Sequence, residues 1–154
     1  SAGSFVVQSS EDGSNPAGQS SGVQVDVTVT PVGDAPSVDA STGTTEEAQT
    51  GLIAIDRAGV DGAEVTHFRF SSITGGSLFR SDGTTAIAEG AYLDYATANA
   101  GVKFTPATDR TADAWFFVDS SEDGSTVAAQ SNGGSKATVT ITGVGDDPVV
   151  ATSV

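Results

Sequence analysis

Asp56, Asp61 and Glu64 fall within the nine residues "DRAGVDGAE", and Asp119, Glu122 and Asp123 within the five residues "DSSED". Glu46 and Glu47 are adjacent, and Asp34 and Asp146 each follow a Val-Gly pair. Two kinds of chemistry use such carboxylates. Hard divalent cations take oxygen ligands, and calcium accepts six to eight of them in flexible geometry, which suits irregularly spaced acids better than magnesium does. Paired carboxylates also serve glycoside hydrolysis. Asp and Gly favour turns on their own account, however, so an acidic turn does not by itself call for a catalytic explanation.

Other chemistry is sparse. The 154 residues include no Cys, which excludes disulfides, thiolate metal sites and Cys nucleophiles. The lone His67 alternates with Phe68 and Phe70, so an outward-facing strand position is expected for it. No nucleophile elbow, phosphate loop or His-rich metal spacing is present, and the chain is expected to be non-enzymatic. Trp115 and Tyr95 are the residues for a sugar-stacking platform, and Lys103 or Lys136 with Asn99 or Asn132 for an isopeptide crosslink. Six Lys and Arg against twenty Asp and Glu give a net charge of −14, which repels nucleic acid and anionic membrane. No apolar run approaches the ~18 residues of a membrane span, so neither nucleic acid nor membrane insertion is expected. "SAGSFVV" carries no basic region or long apolar segment, and any export signal is expected outside this stretch.

The elements that must position these residues alternate at period two. "VQVDVTVT" puts Val23, Val25, Val27 and Val29 on one face, and "KATVTIT" does the same with Ala137, Val139 and Ile141. Further strands are expected at 51–55, 65–70, 77–80, 101–105 and 114–120, separated by "DGAE", "TGGS", "SDGT", "NAGV" and "NGGS" turns. Only 91–101 has room for a short helical turn. About seven short strands at this spacing predict an all-β, antiparallel β-sandwich.

The chain also repeats itself. "FVVQSSEDGS" at 5–14 matches "FFVDSSEDGS" at 116–125 in eight of ten positions, and "VTVTPVGDAP" at 27–36 matches "VTITGVGDDP" at 139–148 in seven of ten. The offset grows from 111 to 112 between the blocks, so one residue is inserted in the loop that joins them. Residues 1–36 therefore read as the last two strands of a preceding repeat plus a linker. Residues 37–148 read as one complete repeat, and 149–154 as the start of the next linker.

The stretch "TEEAQTGLIAIDRAGVDGAEVTHFRFSSITGGSLFRSDGTTAI", followed by "AGVKFTPATDRTADAWFFV" and "ATVTITGVGDDP", resembles the bacterial cadherin-like repeats of giant surface adhesins. The resemblance spans nearly the whole chain, with "VTHFRF", "GVKFTP" and the "VGDxP" joints most telling. It implies an immunoglobulin- or cadherin-like sandwich, export to the bacterial cell surface, and calcium at the joints between repeats.

In such a sandwich the first strand starts at the end where the previous repeat attaches, and the second strand returns the chain there. Asp34 in the linker, the Asp56–Glu64 loop with Asp61, the Glu46-Glu47 pair, and Asp119 with Glu122 and Asp123 are then expected at one end. A divalent cation would relieve their mutual repulsion. Asp146 is the counterpart of Asp34 for the next repeat. The expected function is a structural extender stiffened by calcium, with neighbouring repeats as partners and residues 1–36 as a route to homo-oligomers. A carbohydrate- or surface-binding module and a filament subunit are the alternatives.

Overall fold

The computed structural model describes residues 2–11, 13, 18–29, 32–39, 41–125, 130–131 and 133–145. The chain divides into two compact units, Ser1–Pro31 and Val32–Val154.

The first unit is a hairpin of β1 (Ala2–Val7) and β2 (Val23–Thr28), paired antiparallel with Phe5 opposite Val25 and Val7 opposite Val23. The alternation of Val with Gln, Asp and Thr makes the strand, because β-branched side chains fit a pleated surface. Phe5, Val7, Val23, Val25, Val27 and Val29 are all exposed. Two strands alone enclose no core.

The second unit is an all-β sandwich. It runs β3 (Ser37–Val38), β4 (Ser41–Thr45), β5 (Ile55–Asp56), β6 (His67–Thr74), β7 (Gly76–Arg80), β8 (Ala86–Ile87), β9 (Tyr92–Asp94), α1 (Tyr95–Asn99), β10 (Val102–Pro106), β11 (Ala114–Ser121) and β12 (Ser135–Thr142). One sheet has the order β4-β12-β11-β6-β9, a second β10-β7-β8, and β3 pairs with β5. Period-two alternation turns one face of each strand inward: Phe68 and Phe70 from β6, Phe116 and Val118 from β11, Val139 and Ile141 from β12. These meet Leu78, Ile87, Val102 and Phe104 from the second sheet and Ile53 and Ile55 between them in one core. Burying a Phe, Leu, Ile or Val side chain contributes roughly 1.5–3 kcal/mol, so this shared layer is what holds the sheets together. The helical turn falls inside 91–101, where Asp94 caps it by accepting from the Thr97 N–H at 2.9 Å.

Two features differ from the sequence expectation. The unit has more strands than seven, because β3, β4, β8 and β9 are short or lack an apolar face. One pairing is also parallel: β4 lies beside β12 with Thr42 opposite Val139. The chain enters at the end where β12 begins, since the Ser135 hydroxyl donates to the Pro36 carbonyl, and the two strands then run the same way.

Candidate functional site

The entry end of the sandwich gathers several of the sequence-nominated acids. Gly33 lies against Val65 and Ser120, so close that a Cβ on it would come within 2.9 Å of the Val65 side chain. With the linker backbone held there, the Asp34 N–H donates to Asp61 Oδ2 at 2.9 Å. Asp61 is itself presented by a turn whose N–H donates to the Ala58 carbonyl at 3.0 Å. Glu64 Oε1 accepts from the Gly62 N–H at 2.8 Å, and the Gly62 and Glu64 N–H groups hold its pKa below the usual carboxylate range. Glu122 completes the group. The Thr66 hydroxyl donates to its carbonyl at 2.6 Å, and its side-chain Oε1 is shut away from solvent with no hydrogen-bond partner. Burial, then the negative charges of Glu64 and Asp61, raise the Glu122 pKa.

Asp56 sits at the same end, opposite Ser37 in the β3–β5 pair. Its Oδ1 accepts from the Tyr95 hydroxyl at 2.9 Å and from the Arg57 N–H at 2.8 Å. The Arg57 guanidinium stacks 3.6 Å from the centre of the Tyr95 ring and donates from Nε to the Val65 carbonyl. The hydrogen bond to Asp56, and then burial, raise the Tyr95 pKa. Arg57 had no signal in the alternation pattern, because it lies in a loop. Asp123 closes its own turn, accepting from the Ser125 N–H at 2.9 Å.

The other nominated acids lie outside this group, Asp119 at the same end but on a strand face beside Gly134. Glu46 and Glu47 are at the opposite end, not the entry end. They follow β4, which runs alongside β12 from Ser41 opposite Thr138 to Thr45 opposite Thr142, so they emerge where β12 finishes. There they line a hollow of about 280 Å³ with Thr105, Pro106, Thr108 and Asp109, and Glu46 Oε1 accepts from the Val144 N–H at 2.6 Å. Asp119 is not in a loop. It lies within β11 on the face away from the core, opposite Arg69 on β6, with Arg69 Nη1 to Asp119 Oδ2 at 3.8 Å. Burial raises its pKa against the opposing pull of Arg69. Asp146 lies outside the described residues.

Among the described residues, no three carboxylate or imidazole side chains converge tightly enough to hold one ion. Three of the acids have one oxygen engaged already: Asp56 Oδ1 by the Tyr95 hydroxyl and the Arg57 N–H, Asp61 Oδ2 by the Asp34 N–H and Glu64 Oε1 by the Gly62 N–H. Glu122 Oε1 is a buried acceptor without a hydrogen-bond partner. As arranged, these residues fall short of the six to eight oxygens that calcium takes.

Among the described residues, neither alternative constellation is assembled. Trp115 lies under Lys136, whose Nζ is 4.9 Å from the indole centre on the outer face of the five-stranded sheet, whereas Tyr95 packs at 6.1 Å from Phe68. Asn99 Nδ2 donates to the Ile55 carbonyl at 3.0 Å, and Asn132 lies outside the described residues. His67 points away from the core and is half-buried, with its ring under Gly124 and its Nδ1 2.8 Å from the Thr66 hydroxyl.

The repeated hairpins match in three dimensions. In β11–β12, Ala114 is opposite Val139, Trp115 opposite Thr138, Phe116 opposite Ala137, Phe117 opposite Lys136 and Val118 opposite Ser135. In β1–β2, the counterparts Gly3–Val27, Ser4–Asp26, Phe5–Val25, Val6–Gln24 and Val7–Val23 pair identically. The loop ends match as well. The Ser9 N–H donates to Ser20 Oγ at 3.0 Å and the Ser120 N–H to Ser131 Oγ at 3.1 Å. The Ser20 N–H donates to the Ser9 carbonyl at 2.8 Å and the Ser131 N–H to the Ser120 carbonyl at 2.9 Å. The Gln19 and Gln130 bridges, to Ser10 and Ser121, complete the parallel.

No protein-family model matches the chain, and no curated protein matches it. Among solved structures, the chain is similar to the solution NMR structure of a conjugate transposon protein from Bacteroides vulgatus. That likeness has 12% identity and a TM-score of 0.40 over 72% of this chain and 89% of that one. It is a distant likeness between β-sheet folds.

Proposed function

We propose that this chain is a piece of a tandem array of β-sandwich repeats, and that its work is mechanical: to extend a bacterial surface adhesin away from the cell. The observation that carries this reading is the identity of register between β1–β2 and β11–β12. One hairpin closes a sandwich core and its twin carries the same apolar face outside any core. A repeat that recurs with its pairing intact is what an array of stacked units requires. The resemblance to cadherin-like repeats supports the same reading and adds the bacterial cell surface as the location. Neighbouring repeats of the same chain are then the partners.

Calcium is part of the proposal. The ion would be drawn to Asp34, Asp61, Glu64 and Glu122, where Glu122 carries an unpartnered oxygen among like charges. An ion held there would bridge the linker, the Asp56–Glu64 loop and the residues after β11, and so stiffen the joint.

Solution X-ray scattering on chains of one, two and three complete repeats tests the extender. β11 has eight residues, which at ~3.3 Å each makes a repeat at least about 26 Å long. The maximum dimension should grow by a constant increment of at least that size per repeat. Chains that stay compact as repeats are added would rule out a spacer, and specific binding on a glycan array would favour a carbohydrate-binding module.

A further inference from the structure

The sandwich has a single seat for a closing hairpin, and the chain carries two hairpins cut for it. We infer that the apolar face of β1–β2 is an interaction surface whose partner is the sandwich of a second copy of this chain, where it takes the place of β11–β12. Three observations carry the fit. The strand register is the same in both hairpins across five consecutive pairs. The serine hydrogen bonds that tie the loop ends recur at 3.0 and 3.1 Å, so both strand pairs are closed in the same way at that end. The core-facing volumes also balance: Gly3 for Ala114 and Val29 for Ile141 each remove one carbon, and Val25 for Ala137 adds two. Volume-conserving exchanges of this kind are the ones cores accept.

The partner is a second copy rather than the same molecule because the tether is too short. In the seat, Val29 would take the place of Ile141, where β12 finishes. Gly33 is lodged at the opposite end against Val65, which stays in place when β11–β12 leaves. The four steps from Val29 to Gly33 span at most about 14 Å, while Ile141 to Ser135 alone is about 20 Å. Each body holds one hairpin at a time, and β11–β12 has the advantage of Trp115 packed under Lys136. Exchange therefore grows with protein concentration and with any weakening of β11–β12. It goes beyond the extender reading, which stands whether or not exchange occurs.

The chain lacks Cys, so introduced thiols report the contact cleanly. In the seat Val6 replaces Phe117, which lies opposite Ser71. Full-length Val6→Cys and Ser71→Cys chains are unfolded, mixed, refolded together and oxidised. The expected result is a disulfide-linked heterodimer whose yield rises with concentration, and rises several-fold when the Ser71→Cys chain also carries Phe116→Asp. Absence of the heterodimer in the first mixture would overturn the inference. So would a Val6→Cys/Ser71→Cys double variant that links within one chain at high dilution.

Discussion

Phe5 and Phe116 hold the same position in two copies of one hairpin, opposite Val25 and Ala137 respectively, yet Phe5 is 53% exposed and Phe116 is fully buried. Sequence and register agree between them; the difference is whether a second sheet covers the face. Phe116 packs 6.3 Å from Phe70 in the shared core.

The first expectation concerns that core. Phe116→Ala should cost about 3–5 kcal/mol, because its seat is enclosed on all sides and leaves a cavity. Trp115→Ser should cost clearly less, since Trp115 is on the outer face and only half-buried. Phe5→Ala should leave the main unfolding transition where it is. Urea denaturation of the three variants checks this, and equal losses from Phe116→Ala and Trp115→Ser would contradict the facing of β11.

The second uses the paired glycines Gly13 and Gly124, which share φ values of +70° and +69°. An alanine at either position is strained by the left-handed backbone, at about 1 kcal/mol or more. At Gly124 the new Cβ would also come within 2.7 Å of the His67 ring, whereas at Gly13 nothing lies within 4 Å. Gly124→Ala should therefore lower the melting temperature of the sandwich, and Gly13→Ala should not. Thermal melts followed by circular dichroism distinguish the two.

The third concerns pH. The Glu122 carboxyl is raised above its ordinary 4.5 by burial and by Glu64 and Asp61. In the window from 4.5 up to the raised value, the folded chain holds a proton that the unfolded chain has released. Stability contributed by this group is thus full below 4.5 and is lost as pH rises through the folded value. Glu122→Gln should remove that loss, so the variant gains on the parent chain as pH is raised. Melting curves from acid to neutral pH check it, and a constant difference between the two chains would contradict it. The hydrogen-bonded Asp82 and Asp94 act in the opposite direction at lower pH, and both chains share them.

The fourth concerns calcium. With a dissociation constant of about 10⁻⁴ to 10⁻³ M, as in extracellular calcium modules, a hundredfold excess adds ~2.7 kcal/mol for one site. Scanning calorimetry should show a higher melting temperature in calcium than in EDTA, and the shift should shrink in Glu122→Gln. An unchanged melting curve would remove calcium from the joint.

How much of this was readable in the residues depended on whether an element has an apolar face. "VQVDVTVT", "VTHFRF", "GVKFT", "AWFFVDS" and "KATVTIT" alternate, and each became a strand facing as the pattern requires. "STGTT" has no apolar residue, so β4 was invisible. It is an edge strand held by its ladder to β12, and missing it put Glu46 and Glu47 at the wrong end. Asp119 falls within the strand expected at 114–120, and its neighbour Val118 is opposite Ser135 at the entry end. Its end was thus readable, but its place on a strand face rather than in a loop set it apart from the other acids. The alternation of Phe116 and Val118 continues through Ser120, which is buried despite being polar, so the strand runs on past the acid. The grouping of Asp34, Asp61, Glu64 and Glu122 was readable from the order of strands. Their hydrogen bonds were not, because these depend on turns closed by backbone groups that the sequence does not reveal.

On the array reading, β1 and β2 are the closing hairpin of another sandwich of this same kind. The most direct test places a copy of residues 37–111 ahead of Ser1, which supplies the strands that hairpin lacks, and follows amide hydrogen exchange. The array reading predicts that residues 5–7 and 23–28 become as protected as residues 116–118 and 135–140. Exchange at residues 5–7 and 23–28 as fast as in the original chain would contradict it.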